Sequence, residues 1–127
     1  MRSPIPDDVH RFVLTSVPSV PFLEAMLMLR AHPDKPWTAS DVAQRLFVPT
    51  ARGEELVTQL AEAGLAGPGE APGSIRWNAR SPVAPMVDKL AQVYAVNVVD
   101  VTELIHSRQE RRALQFADAF RLRKKQD

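Results

Sequence analysis

Proline and glycine are unevenly distributed along the 127-residue chain, and their distribution limits where helices can form. The chain contains 11 prolines and 5 glycines, and neither residue occurs after Pro85. Inside a helix, proline costs about 3 kcal/mol and glycine about 1 kcal/mol relative to alanine. The segment after Pro85 is therefore predicted to be helical, whereas the segment before it has room only for short elements.

Composition excludes several classes of protein. The chain has no cysteine, which excludes disulfides, thiolate nucleophiles and cysteine-based zinc sites. Its longest apolar run covers residues 25–29, far short of the roughly 18 residues that a membrane span requires. The first twenty residues carry Asp7 and Asp8 instead of a basic and then apolar leader. We therefore expect a cytoplasmic protein of one domain that does not contact a membrane.

Start signals and apolar spacing predict four short helices in the first half of the chain. Their expected bounds are about 6–16, 20–31, 39–47 and 51–63. The strongest start signal is at Thr38, where the hydroxyl can cap the helix and Asp41 completes an approximate capping box. Trp37 and Val42 occupy the two positions of a hydrophobic staple. Residues 38–41 therefore fix the start of the third helix.

The ends of the third and fourth helices are predicted from the residues that follow their apolar stripes. The inward stripe of the third helix is expected to run from Val42 to Phe47. Thr50 is expected to cap the fourth helix, and Gly64 to end it in a left-handed conformation. Residues 65–79 then alternate around a tip rich in glycine and proline, which predicts a β-hairpin.

Two stretches carry a resemblance to a known superfamily. They read Trp-Thr-Ala-Ser-Asp-Val-Ala-Gln-Arg-Leu at 37–46 and Leu-Val-Thr-Gln-Leu-Ala-Glu-Ala-Gly-Leu at 56–65. With the predicted order of elements, residues 20–80 resemble a winged helix-turn-helix domain. The chain is similar to small bacterial winged-helix proteins that carry a C-terminal helical extension. The resemblance implies a mainly α fold with a small β-hairpin, namely a winged-helix domain at 1–80 and an extension at 81–127 within the same compact domain.

The resemblance also implies a function. In DNA-binding members of the superfamily, the second helix of the turn enters the major groove and the hairpin contacts the adjacent backbone. The implied function is a dimeric transcriptional regulator that binds double-stranded DNA. The positions that match the DNA-contacting surface are Thr50, Arg52, Glu55 and Gln59 on the fourth helix, and Arg76 and Arg80 on the hairpin.

Charge supports an alternative function. Residues 50–64 contain one arginine and three glutamates, a net charge of −2 on the helix that would approach DNA. Proteins that bind DNA gain most of their non-specific affinity from lysine and arginine on phosphates. The alternative is a winged-helix module that binds a protein partner and not DNA.

Residues 81–127 are expected to form one long helix or a helix pair. Ser81 and Pro82 are placed to begin it, and a break is expected around His106 and Ser107. Its apolar stripe packs either on the body of the domain or on the same helix of a second copy, where a buried Asn97 would fix the register. In that homodimer the interface would consist of Met86, Leu90, Tyr94, Asn97, Val101 and Leu104.

Three further features mark the same segment. Val96 and Val99 fall on the side of the predicted helix opposite its apolar stripe. This second apolar side indicates that the helix is covered on two sides, by its own domain and by a second copy or the last helix. The β-branched run at 93–101 allows a strand as a second interpretation. Residues 106–127 carry seven basic and three acidic residues, a net charge of +4, whereas the rest of the chain has a net charge of −3. The overall charge of +1 is therefore the sum of an acidic body and a basic C-terminal end. The basic end includes Arg108, Arg111, Arg112, Arg121, Arg123, Lys124 and Lys125.

Sequence motifs of catalysis are missing. His10, His32 and His106 lie far apart in the sequence, so a metal site built on them would require separate elements to meet in space. The chain has no P-loop, nucleophile elbow or dinucleotide-binding fingerprint. We therefore expect no enzyme activity, no catalytic or metal-binding residues and no cofactor.

Overall fold

The computed structural model describes residues 5–125, with the side chains of residues 5–115 and of Ala117. Within this part of the chain, six helices and one two-stranded hairpin form a mainly α fold, which confirms the predicted fold class. The order of elements is α1 Asp7–Ser16, α2 Val20–Ala31, α3 Ala39–Leu46, α4 Thr50–Glu62, β1 Ala66–Pro68, β2 Ile75–Trp77, α5 Ala84–Val96 and α6 Val98–Lys125. This order is compatible with a winged helix.

The predicted capping box at the start of α3 is present. The Thr38 hydroxyl oxygen accepts a hydrogen bond from the Asp41 amide at 3.1 Å, and the Asp41 carboxylate accepts one from the Thr38 amide at 3.0 Å. At the start of α2, the Ser19 hydroxyl accepts a hydrogen bond from the Phe22 amide at 3.2 Å. These bonds satisfy amides that have no partner inside their helices. Local sequence therefore fixes where α2 and α3 begin.

The start of α4 differs from the prediction by one residue. Pro49, and not Thr50, occupies the N-cap position, and the Thr50 side chain makes no capping bond. The reason is that the Pro49 carbonyl already accepts hydrogen bonds from the Arg52 and Gly53 amides, at 2.9 and 3.1 Å. The extended backbone of Pro49 thus turns the chain directly into the helix.

The end of α4 confirms the role expected of Gly64. Gly64 has a left-handed φ of 74°. Its amide donates to the Ala61 carbonyl, and the Leu65 amide donates to the Leu60 carbonyl, both at 3.0 Å. This pair of bonds is a Schellman motif, which directs the chain from α4 into the hairpin.

Phe47 does not belong to the buried stripe of α3, and that part of the prediction is wrong. The helix ends at Leu46, and Phe47 adopts a left-handed conformation with a φ of 58°. Its side chain is 95% exposed. A residue that precedes proline disfavours the helical conformation, so Val48, which precedes Pro49, cannot easily continue α3. The left-handed conformation of Phe47 then directs its ring away from the core.

The hairpin is joined to the start of α3 through backbone hydrogen bonds. β1 and β2 pair antiparallel, with Ala66 opposite Trp77 and Pro68 opposite Ile75. The Trp37 amide donates to the Ile75 carbonyl at 2.7 Å, and the Ile75 amide donates to the Trp37 carbonyl at 2.8 Å. Trp37 thus extends the sheet by one bridge, and its indole is buried. The sequence analysis did not predict this bridge.

The helices of the second half pack on the first half in one hydrophobic core. α5 contributes Val87 and Leu90, and α6 contributes Val101 and Ile105, all of them fully buried. Ion pairs at the surface also join α5 to the first helices. Lys89 lies 2.7 Å from the Asp8 carboxylate, and Arg30 lies 2.6 Å from the carboxylate of Asp88.

The C-terminal segment is a helix pair that breaks at Asn97, and not around His106 and Ser107. The break follows from Asn97, which leaves the helical region with a φ of −134°. The Asn97 amide donates the last hydrogen bond of α5, to the Val93 carbonyl. The Asn97 carbonyl accepts the first hydrogen bond of α6, from the Val101 amide. A strand at 93–101 is therefore also excluded. α5 begins at Ala84, because the Ser81 hydroxyl accepts from the Val83 amide in a turn that precedes the helix.

The proposed dimer stripe is largely covered by the protomer itself. Leu90 and Val101 are fully buried and Asn97 is 8% exposed, so these three side chains are not available to a second copy. Met86, Tyr94 and Leu104 are half-buried. The stripe thus packs on the body of the domain, which was the first of the two predicted arrangements. Val96 and Val99, expected to be covered, are 76% and 56% exposed.

No helix within residues 5–125 is by itself both long and apolar enough to cross a membrane. α1 and α2 reach that length and composition only as a pair, and a bend of 111° separates them.

Two helices approach each other closely at Gly53. Gly53 is buried where α4 crosses α3. A Cβ atom at this position would collide with the Ala39 carbonyl oxygen and lie 2.9 Å from the Ala43 Cβ. Only glycine fits here without a shift of backbone.

We expect Gly53→Ala to lower the free energy of unfolding by about 1–3 kcal/mol, as overpacking does in a filled core. At an open helical position the same change would raise it by up to about 1 kcal/mol. Urea denaturation measures the difference. The control is Gly67→Ala, since a Cβ atom at Gly67 meets nothing within 4 Å. A Gly53→Ala protein as stable as the wild type would contradict the close crossing.

The capping box also predicts a pH dependence of stability. Hydrogen bonds from the Thr38 amide and then the Thr38 hydroxyl lower the pKa of the Asp41 carboxyl. A carboxyl with a lowered folded pKa contributes stability above its unfolded pKa of about 3.9, and this stability is lost as the pH falls through the folded pKa. Asp41→Asn should therefore destabilise the protein at neutral pH and progressively less in acid.

Urea unfolding of both proteins between neutral pH and about pH 3, which spans the unfolded pKa of aspartate, tests this prediction. Asp34→Asn is the matched control, because Asp34 is exposed and lies outside the helices. A stability difference for Asp41→Asn that does not change with pH would refute the role of the charged carboxyl.

Candidate interaction surface

The outer side of α4 presents a surface that we name the α4 face. It surrounds an open groove of about 550 Å³. The groove is lined by Ala51, Glu54, Glu55, Thr58 and Gln59. Glu62 continues the exposed side of the helix one turn beyond Thr58, since residues four apart lie on the same side. The exposed Phe47 precedes this surface in the turn between α3 and α4.

Arg52 makes two polar contacts within the protomer. One guanidinium nitrogen lies 2.7 Å from the Glu55 carboxylate, and another donates to the Ser19 hydroxyl at 3.1 Å. Because Ser19 caps α2, these bonds tie the first turn of α4 to the start of α2. The arginine of α4 that was predicted to contact DNA thus has two partners within the protomer.

The other predicted residues of α4 differ in accessibility. Thr50 is exposed in the first turn, and Gln59 is half-buried in the groove. The Gln59 side-chain oxygen is buried and has no hydrogen-bond partner within the described residues. Leaving such an acceptor unsatisfied costs about 1–3 kcal/mol. The oxygen is covered by the protein itself, so it is an unpaired polar atom inside the fold and is not offered to a partner in the groove.

Since Arg52 neutralises Glu55, the α4 face keeps the negative charges of Glu54 and Glu62. A surface of this sign repels the phosphates of DNA and attracts cationic side chains. The sequence had indicated this charge, and the structure adds that the one arginine is already paired.

Arg76 and Arg80 are brought together at the hairpin. Both are exposed and line a groove of about 450 Å³. Asp34 and Trp77 line the same groove. The two predicted hairpin arginines therefore share one surface, which lies outside the groove of the α4 face.

Phe47, in the turn before the α4 face, is the exposed residue that the sequence pattern wrongly placed in the core. Its apolar character suggested the core, whereas its position two residues before Pro49 was the signal for the end of the helix. A bulky residue with a positive φ is uncommon, and local strain of this kind clusters at binding sites. Phe47 thus has both an exposed aromatic ring and an unfavourable backbone conformation.

A second charged surface lies on α6. Arg111 and Arg112 are exposed there, and Arg108 is half-buried. One guanidinium nitrogen of Arg108 is buried without a hydrogen-bond partner in the described residues. Burial, and secondly the charge of Arg112, lower the pKa of Arg108. The side chains of Arg121, Arg123, Lys124 and Lys125 lie outside the described residues.

We expect Arg52→Met to lower the free energy of unfolding by about 0.5–1.5 kcal/mol, because it removes a hydrogen bond and an ion pair that are partly exposed to solvent. Urea denaturation measures the change. Arg45→Met is the control, since Arg45 is exposed and makes no hydrogen bond or ion pair within the described residues. Equal effects of the two substitutions would contradict the packing role of Arg52.

Across the described residues, no group of three His, Cys, Asp or Glu side chains could hold a metal ion. Comparisons with protein-family models, with curated proteins and with solved structures find no match for the chain.

Proposed function

We propose that the protein is a winged-helix module that binds a protein partner through the α4 face and Phe47. The partner segment is a basic amphipathic helix. Its apolar side packs on the Phe47 ring, and its cationic side chains pair with Glu54 and Glu62. Helix-in-groove recognition of this kind uses apolar anchors at helical spacing and charges at the rim.

The single observation that carries the proposal is the exposure of Phe47. A phenylalanine at 95% exposure loses the free energy that burial of its ring would supply. Its left-handed backbone is a second unfavourable feature, because side chains with a Cβ atom are strained at a φ of 58°. Aromatic residues that carry binding energy are enriched at protein interfaces. A partner that buries the ring accounts for the exposure.

Charge favours a protein partner over DNA at this surface. Glu54 and Glu62 are exposed, and Arg52 is held by Glu55 and Ser19. Arg52, the cation in the first turn of α4, is therefore already paired where a phosphate contact would need it free. Carboxylates at this position favour Lys and Arg side chains of a partner.

A transcriptional regulator that binds double-stranded DNA as a dimer is the second candidate. The observation that favours it is the shared groove of Arg76 and Arg80 on the hairpin. In such a protein the hairpin supplies phosphate contacts, which position the domain without reading bases. This candidate predicts salt-sensitive DNA binding that depends on the hairpin and little on α4.

The two candidates are separated by Phe47→Asn. Asparagine tolerates the left-handed conformation, so the stability of the variant should equal or exceed that of the wild type. The probe is a synthetic amphipathic peptide of about 15 residues built from Leu, Ala and Arg, long enough for an isolated helix to be marginally stable. Fluorescence anisotropy should show that Phe47→Asn weakens peptide binding about tenfold or more, as expected for an aromatic anchor.

The matched control peptide carries Glu in place of Arg and should not bind the wild type. Equal binding of the two peptides, or unchanged affinity of the Phe47→Asn protein, would contradict the proposal. A random duplex at about 50 mM salt, where phosphate contacts are strongest, tests the second candidate. The second candidate would be favoured if the wild type binds the duplex but not the peptide, and if Arg76→Ala/Arg80→Ala loses the duplex binding.

A further inference from the structure

Residues 110–115 of α6, directly after Gln109, lie largely in solvent. All residues from 110 to 115 are exposed. Successive residues of an α-helix are about 100° apart, so six consecutive exposed residues include every side of the helix. We name residues 110–115 the projecting segment, and the α6 helix continues beyond it to Lys125.

The projecting segment has the chemistry of a docking helix. Arg111 and Arg112 outweigh Glu110 and leave it a net charge of +1, and Leu114 is 65% exposed. An isolated helix is marginal in water, and most helical stability in proteins comes from packing of one face. The segment therefore presents an apolar residue and two cations that are largely open to solvent.

The α4 face has the complementary chemistry. It offers the carboxylates of Glu54 and Glu62, and the exposed Phe47 ring lies in the turn that precedes it. We propose that the projecting segment docks on the α4 face of a second copy of the chain, which produces a two-fold symmetric dimer. This inference rests on the proposed function, because it identifies the basic helix that the α4 face binds.

The base of the projecting segment and the start of α4 contact the same loop of the protomer. Gln109, the last residue before the projecting segment, donates to the Pro18 carbonyl at 3.2 Å. Arg52, in the first turn of α4, donates to the hydroxyl of the adjacent Ser19 at 3.1 Å. The segment between α1 and α2 thus holds the base of the projecting segment and the start of α4 side by side. In a two-fold dimer each protomer would give one surface and receive the other, so the assembly closes.

Charge favours this dimer over one built from two α6 helices. The sequence from 106 to 127 has a net charge of +4, so a contact between two such ends would bring like charges together. The segment 50–64 has a net charge of −2. Opposite charges across an interface speed association and exclude wrong pairings, whereas like charges oppose contact.

Sedimentation equilibrium measures the association. The wild type should form a reversible dimer of twice the 14.1 kDa protomer mass, and high salt should weaken it because the pairs are exposed. Arg111→Glu/Arg112→Glu and Glu54→Lys/Glu62→Lys should each weaken dimerisation about tenfold or more, because each places like charges across the contact. Arg45→Glu is the matched control, since it changes an exposed charge on α3 and should leave the dimer intact.

A mixture of the two charge-reversed proteins provides the sharper test. Within each variant the α6 and α4 charges have the same sign, so neither should self-associate. Between the variants both contacts have opposite signs, so the mixture should form a heterodimer. Circular dichroism of each variant checks that the fold is retained. Recovery of association only on mixing would support the contact between α6 and the α4 face.

Three outcomes would overturn the inference. These are a wild-type protein that is monomeric at all concentrations, a dimer that neither charge reversal affects, and a mixture that stays monomeric. A further outcome is a monomeric wild type whose Arg111→Glu/Arg112→Glu variant loses only its affinity for duplex DNA. That result would indicate that the projecting segment binds nucleic acid and not a second copy. If the wild type is monomeric but still binds the Leu, Ala and Arg peptide through Phe47, the proposed function stands and only the second copy is rejected.

Discussion

The close crossing of α3 and α4 at Gly53 is the constraint on which the candidate surface depends. Because Gly53 has no side chain, α4 approaches the backbone of α3 at Ala39 and lies against Ala43. The apolar residues of α4, such as Leu56 and Leu60, then face the core. The opposite side, with Glu54 and Thr58, is left to solvent. A wider crossing would require larger side chains between the helices and would rotate or displace this exposed side.

Local signals predicted much of the fold. The capping box at Thr38 and the Schellman motif at Gly64 depend on residues within a few positions of one another, so the sequence contains them directly. The break at Asn97 was not predicted, because it depends on how α5 and α6 fit against the rest of the core. The bridge between Trp37 and Ile75 was missed for a similar reason, since it joins residues distant in the chain and involves only backbone atoms.

The candidate surface was predictable in charge but not in geometry. The excess of glutamate between 50 and 64 is a property of the sequence, and it indicated a weak match to a DNA-binding helix. The pairing of Arg52 with Ser19 depends on the crossing of α2 and α4, which no local pattern specifies. Phe47 was assigned to the core because hydrophobic periodicity treats every apolar residue as inward, whereas the left-handed backbone placed its ring outside.

The bridge at Trp37 makes the hairpin and the start of α3 a single mechanical unit. Trp37 exchanges two backbone hydrogen bonds with Ile75, and the next residue, Thr38, caps α3. A force that lifts the hairpin therefore acts first on the capped end of α3. The Phe47 turn lies at the other end of that helix, which is eight residues long. The hairpin and the Phe47 turn are thus connected through one short helix that is capped at its start, and not only through the hydrophobic core.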